Sequence, residues 1–156
     1  MIPLPPWLTR LFPLAAQQPE EDRRHAAGRW GEKQAELYLG RTGMKILERR
    51  FRVGRRDEID LIARDRDTLV FIEVKTRRNE AYGRPLAAVD RKKRHALSRA
   101  AVRYLKRLNP MPAYFRFDIV EVMGEPDGPT PEINHVKAAF TLNRCYRVPL
   151  ADYRYR

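Results

Sequence analysis

The segment Thr68–Thr76 constrains the fold of this chain most, because it combines a buried-strand pattern with a charged pair. Its first half, Leu69-Val70-Phe71-Ile72, is β-branched and aromatic, which is typical of a buried strand. In the second half, Glu73-Val74-Lys75, successive side chains lie on opposite faces of the strand. We therefore expect Val74 in the core, with Glu73 and Lys75 together on the other face. A charged pair on so apolar a strand indicates a cleft.

The other elements follow from hydrophobic periodicity and from turn residues. Acidic residues after Pro19 favour a helix start, and Gly40 and Gly43 favour its end. Further strands are predicted over Met44–Val53, Glu58–Arg64, Ala113–Met123 and Ile133–Phe140, and a long helix over about Leu86–Leu108. The order αβββαββ predicts an α/β domain with a mixed sheet of about five strands flanked by helices.

The length of 156 residues suits one domain, which we expect over residues 20–142. Residues 1–19 are apolar but Pro-rich, too short to span a membrane and poor as a secretory signal, so we expect a flexible or loosely docked extension. Residues 143–156 form a basic, Tyr-rich tail suited to stacking on single strands or to docking on the domain. Cys145 is the single cysteine, which excludes an intrachain disulfide and fits a cytoplasmic location.

The charge is strongly basic, with 32 Lys and Arg against 20 Asp and Glu and a formal net charge of +12. Such a chain attracts polyanions, and we favour nucleic acid as the partner. The alternative is that the positive charge serves solubility alone. The second helix carries Lys92, Arg99, Arg103 and Lys106 on one face. This face is predicted to contact phosphates, and the alternative is a solvated surface.

Hairpin geometry brings a second carboxylate to the charged pair. A two-residue turn at Arg66-Asp67 would give paired residues whose numbers sum to 133 and place Asp60 opposite Glu73, with Cβ atoms ~4.5–5.5 Å apart. An even sum would instead put Asp60 between Ile72 and Val74 on the other face. Two carboxylates this close repel each other unless a cation lies between them, and oxygen ligands suit Mg²⁺ or Mn²⁺. The alternative is a ladder of surface ion pairs, because the pattern Glu-x-Lys is common in charged proteins.

Several motifs in order resemble the YraN-like (UPF0102) family of bacterial proteins over roughly residues 24–142. They are Gly28-Arg-Trp-Gly-Glu32, Glu58–Ile62, Phe71–Arg77, Tyr82–Pro85, Arg116–Val120 and His135–Phe140. That family resembles the PD-(D/E)xK nuclease superfamily, and the resemblance implies a restriction-endonuclease-like core. Asp57 departs from the pattern, because the family usually has Gly there.

The resemblance also implies the roles of the central residues. Asp60 and Glu73 would be metal ligands together with the main-chain carbonyl of Val74, and Lys75 would be the catalytic lysine. Glu32, on the first helix, would add an acidic group to the site. For Glu32 the alternative role is compensation of the helix dipole near a helix start.

Outlying residues are assigned more simply. Lys93 matches a lysine of the family and extends the inward stripe of its helix, either as a site residue or as a snorkelling stem. Arg77 is a candidate contact of the scissile phosphate. Asp118 and Arg116 are expected to form a structural ion pair, and His135 is expected to be structural.

Three functions follow as hypotheses. The first is an Mg²⁺- or Mn²⁺-dependent endonuclease acting on DNA, with branched or damaged structures as candidate substrates and a homodimer where the junction is symmetric. The second is a non-cleaving nucleic-acid-binding module that keeps the nuclease fold. The third is a scaffold whose apolar extension docks a partner protein. The sequence leaves DNA against RNA open.

Overall fold

A computed structural model gives the structure of the chain, and it describes residues 20–78, 89–143 and 145–146. Two helices and five strands follow one another as α1 (Glu20–Arg41), β1 (Lys45–Val53), β2 (Asp57–Asp65), β3 (Thr68–Arg77), α2 (Arg91–Leu105), β4 (Tyr114–Met123) and β5 (Glu132–Phe140). This is the predicted order αβββαββ, and it is consistent with a restriction-endonuclease-like core.

The five strands form one mixed sheet in the order β1-β2-β3-β4-β5. The pairs β1–β2, β2–β3 and β4–β5 are antiparallel, and β3–β4 is parallel. A parallel pair needs a crossover connection, and the segment between β3 and β4 supplies it with α2. The predicted α/β class with a mixed five-stranded sheet is confirmed.

The two helices cover opposite faces of the sheet. Successive side chains of β3 therefore pack alternately into two separate cores. Leu69 and Phe71 pack with α2 residues such as Leu97 in one cluster. Val70, Ile72 and Val74 pack with Ala35 and Leu39 of α1 in the other. The expectation that Val74 lies in the core is therefore confirmed, and Glu73 and Lys75 take the α2 face.

A close approach to β3 explains one glycine of α1. A Cβ at Gly31 would overlap the hydroxyl oxygen of Thr76 and lie 2.9 Å from the Cβ of Thr76. Glycine at this position therefore lets α1 approach the end of β3 that carries the charged pair. Gly28, one turn earlier, has open space where its Cβ would be.

The predicted bounds of the second helix, about Leu86–Leu108, were wrong, because residues 89–90 and 106–108 lie outside the helix. Helix α2 ends at Leu105, and the amide of Arg107 then bonds to the carbonyl of Tyr104, a tighter turn that stops the α-helix. The helix begins at Arg91, because the Asp90 side chain caps it by accepting the amide of Lys93 at 2.7 Å. Residues 86–88 lie outside the described residues.

The two terminal segments were predicted to lie outside the domain. Residues 1–19 and 147–156 lie outside the described residues, so the predicted extension and most of the tail stay predictions. The start of the tail contacts α2, since the Asn143 amide nitrogen lies 2.9 Å from Nε2 of His95. Neither described helix has the length and apolar character needed to cross a bilayer.

Candidate active site

The β2–β3 hairpin sets the position of the predicted carboxylates. Its pairs run from Asp65–Thr68 to Leu61–Ile72, with residue numbers that sum to 133 throughout, and Arg66 and Asp67 form the turn. The predicted register is confirmed over these pairs. The ladder ends at the pair Leu61–Ile72, one residue short of the predicted pair Asp60–Glu73.

Asp60 reaches β3 through its side chain. Its Oδ2 accepts the backbone N–H of Val74 at 2.7 Å, just beyond the last ladder pair. Burial, and then the charge of Glu73, raise the pKa of Asp60 from its ordinary 3.8 to about 7, although the Val74 N–H and Lys93 act in the opposite direction. The charge of Glu73 is therefore close enough to disfavour the ionised form of Asp60.

Glu73 is the most deeply buried charged group of this site, with 2% of its side chain exposed. Its Oε1 lies 2.7 Å from Nζ of Lys75, and its Oε2 lies 2.9 Å from Nζ of Lys93. The second contact lacks the geometry of a hydrogen bond. Burial lowers the pKa of Lys93, but Glu73 raises it further, so the net pKa is raised.

Lys93 reaches this carboxylate from α2, which lies on the face of the sheet opposite α1. The prediction that Lys93 extends the inward stripe of its helix is confirmed by this ion pair and by the burial of Leu97 and Ala101 on the same stripe. Its role in chemistry stays a prediction.

Glu32 is held by an arginine that the sequence did not reveal. The Arg50 guanidinium donates to both carboxylate oxygens of Glu32, at 2.8 and 3.0 Å. Glu32 lies well inside α1, so dipole compensation near a helix start, the alternative considered for it, was wrong. The backbone of Arg50 has a φ of 51°, an uncommon conformation for a residue with a side chain. Arg50 therefore anchors Glu32 at the edge of the site.

These groups share one cleft of about 790 Å³ at the end of β3. The predicted site residues that line it are Glu32, Asp60, Glu73, Val74, Lys75 and Arg77. The remaining wall is formed by the N-terminal half of α1 and by the loop 124–127 after β4. The fold thus brings together six predicted residues from three elements.

The predicted phosphate contacts divide into two groups. Arg77 lies at the cleft, where its Nε is 2.7 Å from a carboxylate oxygen of the buried Glu121. Lys92, Arg99 and Arg103 of α2 and Lys106, which directly follows its end, are all exposed, and their contact with phosphates stays a prediction. Asp57, the departure from the family pattern, accepts two bonds from Arg99 at 2.6 and 2.8 Å.

The pair Arg116–Asp118 lies apart from the cleft and is structural, as predicted. Asp118 is fully buried and accepts from Nε of Arg116 at 3.0 Å and from the amide of Ala138 at 2.9 Å. Nε2 of His135 lies 2.8 Å from the same carboxylate, which confirms a structural place for this histidine. The network ties β5 to β4.

The side chains of the cleft determine which metal ion it could hold. Within residues 20–78, 89–143 and 145–146, no group of three or more His, Cys, Asp or Glu side chains is arranged to hold an ion. Two carboxylates with a main-chain carbonyl and water are, however, the hard oxygen ligands that Mg²⁺ or Mn²⁺ takes. The buried Glu73 Oε2 has no well-formed hydrogen bond, and a cation would relieve the repulsion that raises the pKa of Asp60. The residues present therefore fit a divalent ion.

Comparisons with known proteins identify the family. The sequence model described as "Uncharacterised protein family UPF0102" matches residues 31–122. A UPF0102 protein of Geotalea daltonii is 45% identical over 115 residues, which cover 74% of this chain and 89% of that protein. One from Geotalea uraniireducens is 44% identical over 78% of this chain and 96% of its own length, and one from Symbiobacterium thermophilum is 50% identical over 65% and 85%. This chain therefore belongs to the UPF0102 family.

Proposed function

We propose that this protein is an Mg²⁺- or Mn²⁺-dependent nuclease that hydrolyses phosphodiester bonds in DNA. One observation carries the proposal: Asp60 and Glu73 lie in a single cleft with Lys75, and the pKa of Asp60 is raised to about 7 by burial and by Glu73. A buried pair of repelling carboxylates has no value for stability, and such pairs are concentrated at functional sites.

Asp60, Glu73 and the Val74 carbonyl would hold the ion. When bound, a divalent ion supplies Lewis-acid polarisation of a phosphate and a bound water of lowered pKa. The Lys75 ammonium, 30% exposed, is the group in the cleft suited to orient the attacking water and to stabilise charge on the phosphate. Water adds to phosphorus, the bond to the leaving sugar oxygen breaks, and that oxygen takes up a proton, which leaves a phosphate monoester and a hydroxyl end.

The charge of the chain supports nucleic acid as the substrate. A net charge of +12 attracts the phosphate backbone and favours binding through the release of counterions. The basic face of α2 adjoins the cleft, because its neighbour Lys93 contacts Glu73. The proposal also places the protein in the cytoplasm. Its more specific parts are DNA rather than RNA as the substrate, a preference for branched or damaged DNA, and a homodimer.

A non-cleaving nucleic-acid-binding module is the second candidate, and ion pairing favours it. Both oxygens of Glu73 are paired with lysines, and Glu32 is paired with Arg50. A site that balances its own charges can persist without a metal ion. In that case the cleft would bind phosphates through its cations alone.

The test compares the protein with its Asp60→Asn and Lys75→Met variants on labelled linear, single-stranded and branched DNA, with Mg²⁺, Mn²⁺ or EDTA. Asn keeps an acceptor for the Val74 amide, so Asp60→Asn removes the charge without removing the hydrogen bond. We expect metal-dependent cleavage by the wild type and a loss of at least 100-fold in either variant.

An Asp127→Asn variant is the matched control, since Asp127 lines the outer part of the same cleft and is exposed. It should cleave like the wild type. Binding of DNA without cleavage under every metal condition would overturn the nuclease and leave the binding module.

A further inference from the structure

A second and smaller pocket lies between the β1–β2 turn and the first two turns of α2. Its volume is about 560 Å³, and it is lined by Arg56, Asp57, Arg91, Lys92, His95, Ala96 and Arg99. Four of these side chains are permanently cationic and one is a carboxylate. The pocket is therefore strongly electropositive and is distinct from the cleft that contains Asp60 and Glu73.

The single carboxylate of this pocket is already neutralised. Both oxygens of Asp57 accept from Arg99, at 2.6 and 2.8 Å. The hydrogen bonds that Arg99 donates to Asp57, together with a hydrogen bond to Tyr146, raise the pKa of Arg99, so this guanidinium is held from two sides. Asp57 thus serves to fix Arg99 and does not cancel the remaining cations.

The remaining cations lie open to a ligand. Arg56, Arg91 and Lys92 are exposed, and none of them forms an ion pair within 4 Å with any residue for which the structure gives a position. Arginine presents a planar fork of donors that matches two oxygens of a phosphate, and lysine adds a point charge. Three such groups around one concave surface suit a dianionic or polyanionic ligand better than a single carboxylate.

His95 is held in a fixed position at the pocket. Its Nε2 lies 2.9 Å from the side-chain amide nitrogen of Asn143. The ring also packs edge-on against Tyr146, with centroids 6.2 Å apart, which fixes its orientation.

The pocket and the cleft are linked through two elements. Asp57 in the pocket and Asp60 in the cleft are three residues apart on β2, or about 10 Å along the strand. On α2, Lys92 lines the pocket while the adjacent Lys93 contacts Glu73 in the cleft. About 10 Å corresponds to roughly three base-pair steps of ~3.4 Å along one DNA strand.

We infer that this basic pocket binds a backbone phosphate of the nucleic-acid strand whose scissile bond lies in the cleft. The inference rests on the proposed nuclease function, and it adds Arg56, Arg91 and His95 to the phosphate contacts while making Arg99 an anchored member of the pocket. The pocket holds the strand a few nucleotides from the carboxylates. It contributes affinity and register, and the carboxylates contribute the reaction.

The experiment measures DNA binding in EDTA, where no cleavage occurs, by fluorescence anisotropy of a labelled 20-mer duplex at several salt concentrations. The double variant Arg56→Gln/Arg91→Gln is compared with Lys45→Gln/Lys137→Gln. The control removes the same charge from exposed residues of β1 and β5 that line neither the cleft nor the pocket. A second pocket variant, Arg91→Gln/Lys92→Gln, covers the case in which the first does not fold.

We expect both pocket variants to bind at least 10-fold more weakly than the control, with a slope of log K against log salt that is smaller by about one to two. Equal affinity and equal salt slope in the pocket and control variants would overturn the inference while leaving the nuclease intact. Failure of the wild type to bind any nucleic acid would overturn both, and stronger competition by an acidic peptide than by DNA would reassign the pocket to a protein partner.

Discussion

Lys93, in the first turn of α2, holds its ammonium group 2.9 Å from the buried carboxylate of Glu73 on β3. Lys75 holds a second ammonium 2.7 Å from the other oxygen of the same carboxylate. Two cations from different elements therefore converge on one buried anion. This arrangement links the position of α2 to the charge of the cleft.

Replacing Lys93 with Met should lower the free energy of unfolding by about 1–3 kcal/mol, because it leaves one oxygen of a buried carboxylate without its partner. Urea denaturation at pH 7 measures the change. Lys92→Met is the matched control, since Lys92 is exposed and forms no ion pair with the described residues, and its effect should stay within about 0.5 kcal/mol. Equal effects of the two substitutions would show that the Glu73–Lys93 pair does not contribute to stability.

The raised pKa of Asp60 predicts that the stability of the protein falls as the pH rises. The Asp60 pKa of about 7 in the folded protein lies above its ordinary value of 3.8. Between these values the folded state retains a proton that the unfolded chain has lost, so the free energy of unfolding falls as the pH rises from about 4 to 7. Asp60→Asn should therefore be more stable than the wild type by up to about 4 kcal/mol at pH 8, since each pKa unit between 3.8 and about 7 corresponds to ~1.4 kcal/mol.

The same comparison at pH 4 is the internal control for Asp60→Asn. The Asp60 carboxyl is then protonated in the folded state, and the difference between variant and wild type should vanish. Thermal or urea unfolding at both pH values measures this. A difference that is the same at pH 4 and pH 8 would mean that the charge of Asp60 is not its source.

The carboxylate pair could be predicted from the sequence because it depends on local geometry. The two-residue turn at Arg66-Asp67 sets the register of the hairpin up to Leu61–Ile72, and the Asp60 side chain then reaches the Val74 amide beside Glu73. The alternation of Glu73, Val74 and Lys75 then follows from the pleat of the strand. Both steps depend only on residues within one hairpin.

The arginines that pair with Glu32 and Asp57 could not be predicted in the same way. Arg50 pairs with Glu32 across 18 residues, and Arg99 pairs with Asp57 across 42 residues. Each pair depends on how a helix packs on the sheet, which hydrophobic periodicity does not determine. The start of α2 did have a local signal, because Asp is a favoured N-cap residue and the Asp90 side chain accepts the amide of Lys93, three residues later.

Gly31 and Gly28 allow a matched test of helix packing in α1. Gly31→Ala should lower the free energy of unfolding by about 1–3 kcal/mol, because the new methyl group overlaps Thr76 and pushes α1 from β3. Gly28→Ala meets open space and should raise stability by about 0.5–1 kcal/mol through helix propensity. Urea denaturation of both variants measures the opposite signs. Two effects of the same sign would contradict the close contact at Thr76.

Asp118 should be indispensable for stability and irrelevant to the chemistry of the cleft. Asp118→Asn leaves Asp65 as the charged partner of the buried Arg116 but weakens several buried hydrogen bonds, so we expect a loss of about 1–3 kcal/mol. Urea denaturation measures the loss, with the exposed Asp127→Asn as a control of the same chemistry. A small effect, within about 0.5 kcal/mol, would mean that solvent reaches the network in solution.

Addition of a divalent ion provides a direct test of the carboxylate pair. If Mg²⁺ or Mn²⁺ binds at Asp60 and Glu73, a concentration tenfold above the dissociation constant stabilises the folded state by ~1.4 kcal/mol, or roughly 3–6 °C in Tm. Differential scanning fluorimetry at pH 8 with NaCl at matched ionic strength measures this shift. Asp60→Asn and Glu73→Gln should abolish the shift, whereas Asp127→Asn should retain it.

The stabilisation by the ion should itself depend on pH. Because the pKa of Asp60 is raised to about 7, a bound ion must displace a proton at pH 5.5 but not at pH 8. The shift in Tm at a fixed concentration of Mn²⁺ should therefore be smaller at pH 5.5, and it should grow as the pH passes through 7. A shift that is equal at both pH values, or that persists in Asp60→Asn, would locate the ion elsewhere on the protein and remove the metal from the proposed chemistry of the cleft.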